Sequence, residues 1–210
     1  KYFYHDVLSK GGNCYYLPLA VNDSRLGAMN ITDEQIAHYS EDVSFVGSLY
    51  TKNEYNNGKV LFTDEMIASH EAIFRKQYGD WKNNYFNSDD MYEVIDKMNK
   101  SVIIDKIEHF PNVSMRDVFV GLILYRKMAE YERARILSEL ANHCRVTLYN
   151  SQDDHSMLKN VICKPESRYE DETPLVYFSS KINLNITLRS ILLGLPLRVF
   201  DIMGVGGFLM

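Results

Sequence analysis

The chain has 210 residues, 46% of them hydrophobic, which is enough for one substantial α/β domain or for one domain and a remnant of another. A net charge of −5 and a pI near 5.7, with no basic stripe, exclude a nucleic-acid backbone as the main partner. The longest apolar runs, around 118–125 and 191–199, are broken by glycine, proline or arginine well short of the ~20 residues that span a bilayer, so no membrane span is expected.

The chain opens on Lys1 without a charged-then-apolar leader, and is expected to start inside a larger protein. Cys14, Cys144 and Cys163 are odd in number and far apart, which fits reduced thiols and a cytoplasmic setting. Residues 14–20 form a short aromatic and apolar run around Pro18, which reads as a strand leading into a crossing segment. Thr32 and Gln35 have the spacing of a capping box and predict a short helix. Residues 43–46 then alternate and stop at Gly47 and Ser48, a strand ending in a tight turn. From about 53 to 142 the periodicity becomes helical, with caps expected at Thr63, at Ser88 and at Ser114. Val118, Phe119, Leu122, Tyr125, Ile136, Leu137 and Leu140 mark an apolar helical face, while Arg126, Glu130, Glu132 and Arg135 read as a solvated charged face. Residues 145–149 return to strand, as a parallel α/β unit requires. Beyond them a short strand at 161–163, a helical turn at 174–179, a strand at 182–186, a helix at 196–205 and a strand opening at 207–210 are expected. The helical block is read as an insertion in one α/β domain rather than as a separate array. Three parallel strands of one sheet should therefore be 43–46, 145–149 and 182–186.

The segment from Lys181 to Phe208 carries the most chemistry, in the layout strand, loop, helix, strand. Pro196 at a first helical position leaves the amides of Leu197 and Arg198 free at the positive end of the helix. Beside the guanidiniums of Arg189 and Arg198, those amides form a candidate diphosphate site. Asp201, about one turn on, is spaced to accept hydrogen bonds from vicinal ribose hydroxyls. The plainer reading stands beside this one: a Pro-initiated helix is common in α/β folds, and Gly204, Gly206 and Gly207 suit a helix C-cap feeding a strand.

The run from Lys181 to Met210 resembles the C-terminal signature of the CgeB-like spore-maturation family of bacterial glycosyltransferases, whose members read much like S-K-I-N-L-N-I-T-L-R-S-I followed by G-I-P-L-R-x-F-D-I-M-G-x-G-G-F-L. Residues 43–50 and 125–149 are similar to further stretches of that family, in the same order. The resemblance implies a GT-B enzyme, with two Rossmann-like domains across a cleft, a metal-independent reaction and no cofactor. The fold class expected is α/β, a truncated Rossmann-like parallel sheet of a GT-B C-terminal domain with a helical insertion. Residues 1–40 would then be a remnant of the N-terminal domain and the crossing, and 41–210 the nucleotide-sugar-binding domain with its insertion at about 53–142. The donor site implied comprises Gly47, Ser48, Asn185, Arg189, Gly194, Leu197, Arg198 and Asp201. In the broader superfamily a glutamate binds the donor ribose from an E-A-M-A-C-G-like helix; residues 200–204 stand in that place, with Asp201 substituting. The superfamily's second carboxylate is replaced at that spacing by Leu193, so the resemblance assigns no residue to the sugar ring. The partners implied are a nucleotide-sugar donor and a glycan, protein or small-molecule acceptor of unspecified kind. The catalytic base belongs to the missing acceptor domain, so no catalytic residue is nominated and the fragment is expected to be inactive alone.

Other chemistry finds little support. The six histidines, among them His70, His109 and His143, lack zinc-site spacing, and no metal is expected. Glu170, Asp171 and Glu172 read as a solvated run, and no nucleophile elbow surrounds Ser48. An epimerase-like reading lacks a glycine-rich first turn and a Tyr-x-x-x-Lys pair. The alternative from another class is a noncatalytic α/β interaction module whose helical insertion binds a partner. It separates from the first reading at the Gly47–Ser48 turn and the helix at Pro196, which should converge at one cleft if a small molecule binds there.

Overall fold

A computed structural model describes residues 4–15, 17, 19–87, 119–150, 154–191 and 194–210. The expected caps at Ser88 and Ser114, together with His109, Val118 and Leu193, lie outside the described residues. Contacts divide the chain into two compact units, one of Lys1–Ser48 with Arg135–Met210 and the other of Leu49–Ala134.

The first unit is α/β. Helices α1 (Tyr4–Ser9), α2 (Asp23–Gly27) and α3 (Asp33–Tyr39) precede strand β1 (Val43–Val46). The capping box that opens α3 is formed as expected: Gln35 N–H donates to Thr32 Oγ1 at 3.3 Å and Thr32 N–H to Gln35 Oε1 at 3.0 Å. Strands β2 (Val146–Tyr149), β3 (Ile162–Lys164) and β4 (Ile182–Asn183) complete a four-stranded sheet in the order β3-β2-β1-β4, every pair parallel. The parallel reading of 43–46, 145–149 and 182–186 therefore holds. Burial on both faces accounts for the sequence of β2, whose four residues are all buried and which has none of the alternation of a half-solvated strand. Leu49 apart, the buried Phe45, Val146, Leu148, Val176 and Ile202 lie in this unit and form its interior.

Two local expectations are corrected. Residues 14–20 form no strand among the described residues; Tyr15 and Leu17 are about nine-tenths exposed, because strand propensity is realised only against a neighbouring strand. The strand at 182–186 is also shorter than expected. Its hydrogen bonds alternate between β1 and the C-terminal segment: Asn183 N–H bonds Phe208 O at 2.8 Å, Leu184 N–H bonds Ser44 O at 2.9 Å and Asn185 N–H bonds Met210 O at 2.8 Å. A parallel bridge of Asn183 to Leu209 marks the expected strand opening at 207–210. Asn183, fully buried, joins the layers: its Oδ1 accepts from Ser44 Oγ at 2.7 Å, and its Nδ2 donates to the carbonyls of Tyr177 and Phe208.

The helical turn expected at 174–179 is a full helix, α7 (Glu172–Ser179), with Pro174 in its first turn where a missing N–H costs nothing. The last helix, α8 (Leu197–Gly204), begins one residue later than expected: Pro196 keeps extended backbone at ψ 153° and is the N-cap. Leu197 and Arg198 thus become the first two helical residues, whose amides have no earlier turn to bond within the helix. At its other end, Gly206 N–H bonds Met203 O at 3.0 Å and Gly207 N–H bonds Ile202 O at 2.9 Å, with Gly206 at φ +80°. This is a Schellman motif, so the glycine run is a C-cap feeding a strand.

The second unit holds α4 (Glu54–Gly58), a 3-10 turn (Lys59–Leu61), α5 (Asp64–Gly79), a 3-10 turn (Tyr85–Asn87) and a π-helix (Phe119–Leu124) that continues as α6 (Tyr125–Leu140), whose last residues belong to the first unit. Thr63 caps α5 as expected, accepting from Met66 N–H at 3.2 Å. The block is an insertion between β1 and β2 in chain order, yet it has a core of its own, in which Tyr55, Phe62, Phe74, Phe86, Phe119 and Met128 are buried together. The expected charged face of α6 is also corrected. Arg135 is exposed, but Glu130 and Glu132 are buried, as are Lys127 and Arg133. Burial is possible because Glu130 Oε2 accepts from Asn53 Nδ2 at 2.7 Å, Asn56 Nδ2 at 2.9 Å and Lys127 Nζ at 2.9 Å.

Candidate functional site

The strand order places a crossover switch beside β1. From β1 the chain moves outward through β2 to β3, then returns past β1 to lay down β4 on its other side. In open parallel sheets the crevice at such a switch, outside the carboxyl ends of the strands, is where ligands bind. Here those ends are Val46, leading into Gly47, and Asn183, leading to Asn185.

Arg198, the second residue of α8, reaches into this crevice. Its guanidinium lies 4.9 Å from the Phe45 ring centroid, and its Nη1 is 3.4 Å from Asn185 Oδ1. Gly47 is required by this approach: it holds φ +149°, and a Cβ there would stand 2.6 Å from Arg198 Nη2. The turn is tied down by Gly47 N–H on Tyr149 O at 3.3 Å and by Asn150 Nδ2 on Gly47 O at 3.2 Å. Tyr177, buried on α7, lies within the influence of Arg198; burial first, against the pull of Arg198, pushes its phenol up to about 12.

One turn along α8, Asp201 is partly buried and accepts the phenolic hydrogen of Tyr169, at 3.1 Å from Oδ1 and 3.3 Å from Oδ2. Burial pushes its carboxyl above the usual value, while the Tyr169 hydroxyl and the charges of Arg25 and Arg198 pull the other way. Arg25 of α2 stands 5.0 Å over the Tyr169 ring and donates from Nη1 to the carbonyls of Tyr169 and Glu170 at 3.3 and 3.2 Å.

Of the residues expected from sequence, Gly47 and Asn185 are brought to Arg198, which shares α8 with Leu197 and Asp201, so the turn at Gly47 and the start of α8 converge. Ser48 is partly buried beside Gly47. Arg189, partly buried, and Gly194, exposed at φ +102°, lie on the loop between β4 and α8. Tyr169, Arg25 and Tyr177 were not selected, and nothing local marks them; only the fold brings them to Arg198 and Asp201. Glu170 and Asp171 are exposed as expected, with Asp171 held by Arg168 at 2.8 Å.

A cavity of about 520 Å³ lies elsewhere in this unit, lined by Glu34, His38, Tyr39, Arg168 and Glu172 among others. Arg168 there is already paired with Asp171 and Glu172, so an anion bound to it would have to replace bonds already made. Glu41 is likewise fully used: burial acts to raise its pKa, but Lys164 and the hydroxyls of Thr147 and Tyr149 outweigh it and hold the carboxyl low. The three cysteines are free thiols. Among the described residues, no helix is long and apolar enough to cross a membrane, and no group of three or more His, Cys, Asp or Glu could hold a metal ion. No family model, no curated protein and no solved structure matches the chain.

Proposed function

We propose that this unit binds the nucleotide-sugar donor of a GT-B glycosyltransferase. The observation that carries the reading is the convergence of Gly47, Asn185 and Arg198 at the switch point of a parallel sheet, at the amino end of an eight-residue helix. A diphosphate there would meet the amides of Leu197 and Arg198, the positive end of α8 and the Arg198 guanidinium, each favouring an anion. Asp201, one turn along, would accept from the ribose hydroxyls. The sugar is left to residues beyond those named, and the acceptor and the catalytic base to the rest of the enzyme.

The test is equilibrium titration of UDP-, GDP- and dTDP-sugars into the protein and into its Asp201→Ala variant. Losing a charge-assisted hydrogen bond costs roughly 1.5–3 kcal/mol, so Asp201→Ala should weaken donor binding about tenfold to a hundredfold with little change in melting temperature. Glu71→Ala, which breaks an exposed helical pair with Arg75, should leave affinity unchanged. Unaltered affinity in Asp201→Ala, or a lower melting temperature with normal affinity in the folded fraction, would make Asp201 a structural group and remove it from the site.

A further inference from the structure

Tyr169 is 46% exposed, yet it is held in place more firmly than an exposed side chain needs. Its hydroxyl is fixed on Asp201 and its carbonyl on Arg25, which also covers part of the ring. The turn that carries it is tied as well: the amides of Glu172 and Thr173 both bond Arg168 O, at 3.0 and 2.9 Å, and Arg168 grips Asp171 with Nε and Nη2 at 3.0 and 2.8 Å. Beneath it the buried hydroxyls of Ser167 and Thr173 meet at 2.8 Å. An aromatic ring kept rigid with nearly half its surface in water has its ordering entropy already spent, which is the condition for a tight contact with a flat partner.

We infer that the Tyr169 ring is the platform on which the base of a nucleoside diphosphate stacks, an assignment that rests on the donor site described above. A carboxylate offers about four lone-pair positions, and the single Tyr169 proton leaves room on Asp201 for the two vicinal hydroxyls of a ribose. The base is bonded to the carbon next to the one that carries the 2′-hydroxyl, so a ribose seated on Asp201 brings its base to the neighbourhood of the carboxylate and of the ring bonded to it. Tyr169 is the exposed aromatic in hydrogen-bond contact with that carboxylate. Stacking tolerates any base, because every base has a π-face, so this contact adds affinity with little choice between uracil and guanine.

Titration of UDP and of GDP into the wild-type protein and into Tyr169→Phe and Tyr169→Leu tests this. Loss of one stacked base typically costs about tenfold to a hundredfold. Tyr169→Phe keeps the ring and should stay within about threefold of wild type, whereas Tyr169→Leu should lose about tenfold or more for both nucleotides. Equal losses in Phe and Leu would mean that only the hydroxyl matters and would overturn the platform, as would wild-type affinity in Leu. Should the Leu variant not fold, Tyr169→Trp in a Trp81→Phe background places a single tryptophan at the site, since the chain has only one. Its emission should be quenched at saturating UDP or GDP, and emission unaltered at saturation rules the stack out. A wild-type protein that binds none of UDP, GDP and dTDP would fail the donor reading itself, an outcome distinct from normal nucleotide binding in the Leu variant.

Discussion

Alanine at position 47 tests the turn at the heart of the crevice. Two costs are built into the geometry. The backbone at φ +149° is one that a residue with a Cβ holds at about 1–3 kcal/mol. The new Cβ, 2.6 Å from Nη2, also drives Arg198 off the Phe45 ring, a contact worth about 0.5–1 kcal/mol at a partly exposed site. Together they amount to about 2–4 kcal/mol, which for a chain of this size lowers the melting temperature by roughly 5–15 °C. Calorimetry on Gly47→Ala, Arg198→Ala and the double variant separates the terms. With Arg198 removed only the backbone cost remains, so the second Gly47→Ala should cost about 0.5–1 kcal/mol less than the first. Donor affinity should fall in Gly47→Ala, because the guanidinium is displaced from where a diphosphate would lie. A Gly47→Ala protein that melts within a degree of its parent and binds donor normally would refute both the strain and the placement of Arg198.

Two further outcomes concern the inserted unit. Glu130→Ala should destabilise it by about 3–5 kcal/mol in urea unfolding, because it strands the buried Lys127 ammonium; Glu130→Gln should cost less, since an amide oxygen still accepts from Asn53 or Asn56. His70 is buried beside Tyr55, its Nδ1 3.0 Å from the phenol oxygen, and burial pushes its pKa down to about 4. An unfolded histidine titrates near 6.5, so between about 6.5 and 4 the unfolded chain binds more protons. The stability that neutral His70 contributes is therefore whole above about pH 6.5 and falls, by about 3 kcal/mol in all, as pH drops to 4. Melting curves at pH 7.5 and 5 should show this loss in wild type and a smaller one in His70→Phe; equal losses in the two would remove His70 as its source.

The sheet and several caps were legible because their causes are local. Short alternating runs such as Val43–Val46 and hydroxyl-to-amide spacings such as Thr32 to Gln35 act within a few residues. The crevice was legible in part, since Pro196, Arg198 and Asp201 share one helix and Gly47 stops a strand. Tyr169 and Arg25 were not, because their meaning arises where α2 and a polar turn meet α8 in space. Glu130 was misread for the same reason: helical periodicity puts it on a polar face, and the amides of Asn53 and Asn56, more than seventy positions earlier, join Lys127 in making its burial tolerable. Residues 14–20 erred the other way, having the composition of a strand without a neighbour to pair with.

The length of the insertion between β1 and β2 bears on how the sheet is built. Val43 pairs with Val146, roughly a hundred residues away, and closing so long a loop is slow and entropically costly. Within the inserted unit, however, the Arg133 guanidinium sits 4.7 Å over the ring of Tyr50, joining the residues where that unit begins and ends. Condensation of its aromatic core holds those residues together and so shortens the effective loop that the parallel pairing of β1 with β2 has to close. Loop-closure entropy thus favours an order in which the insertion condenses before β1 pairs with β2. Substitutions that loosen Tyr50 or Arg133 should slow refolding of the sheet more than they lower its final stability.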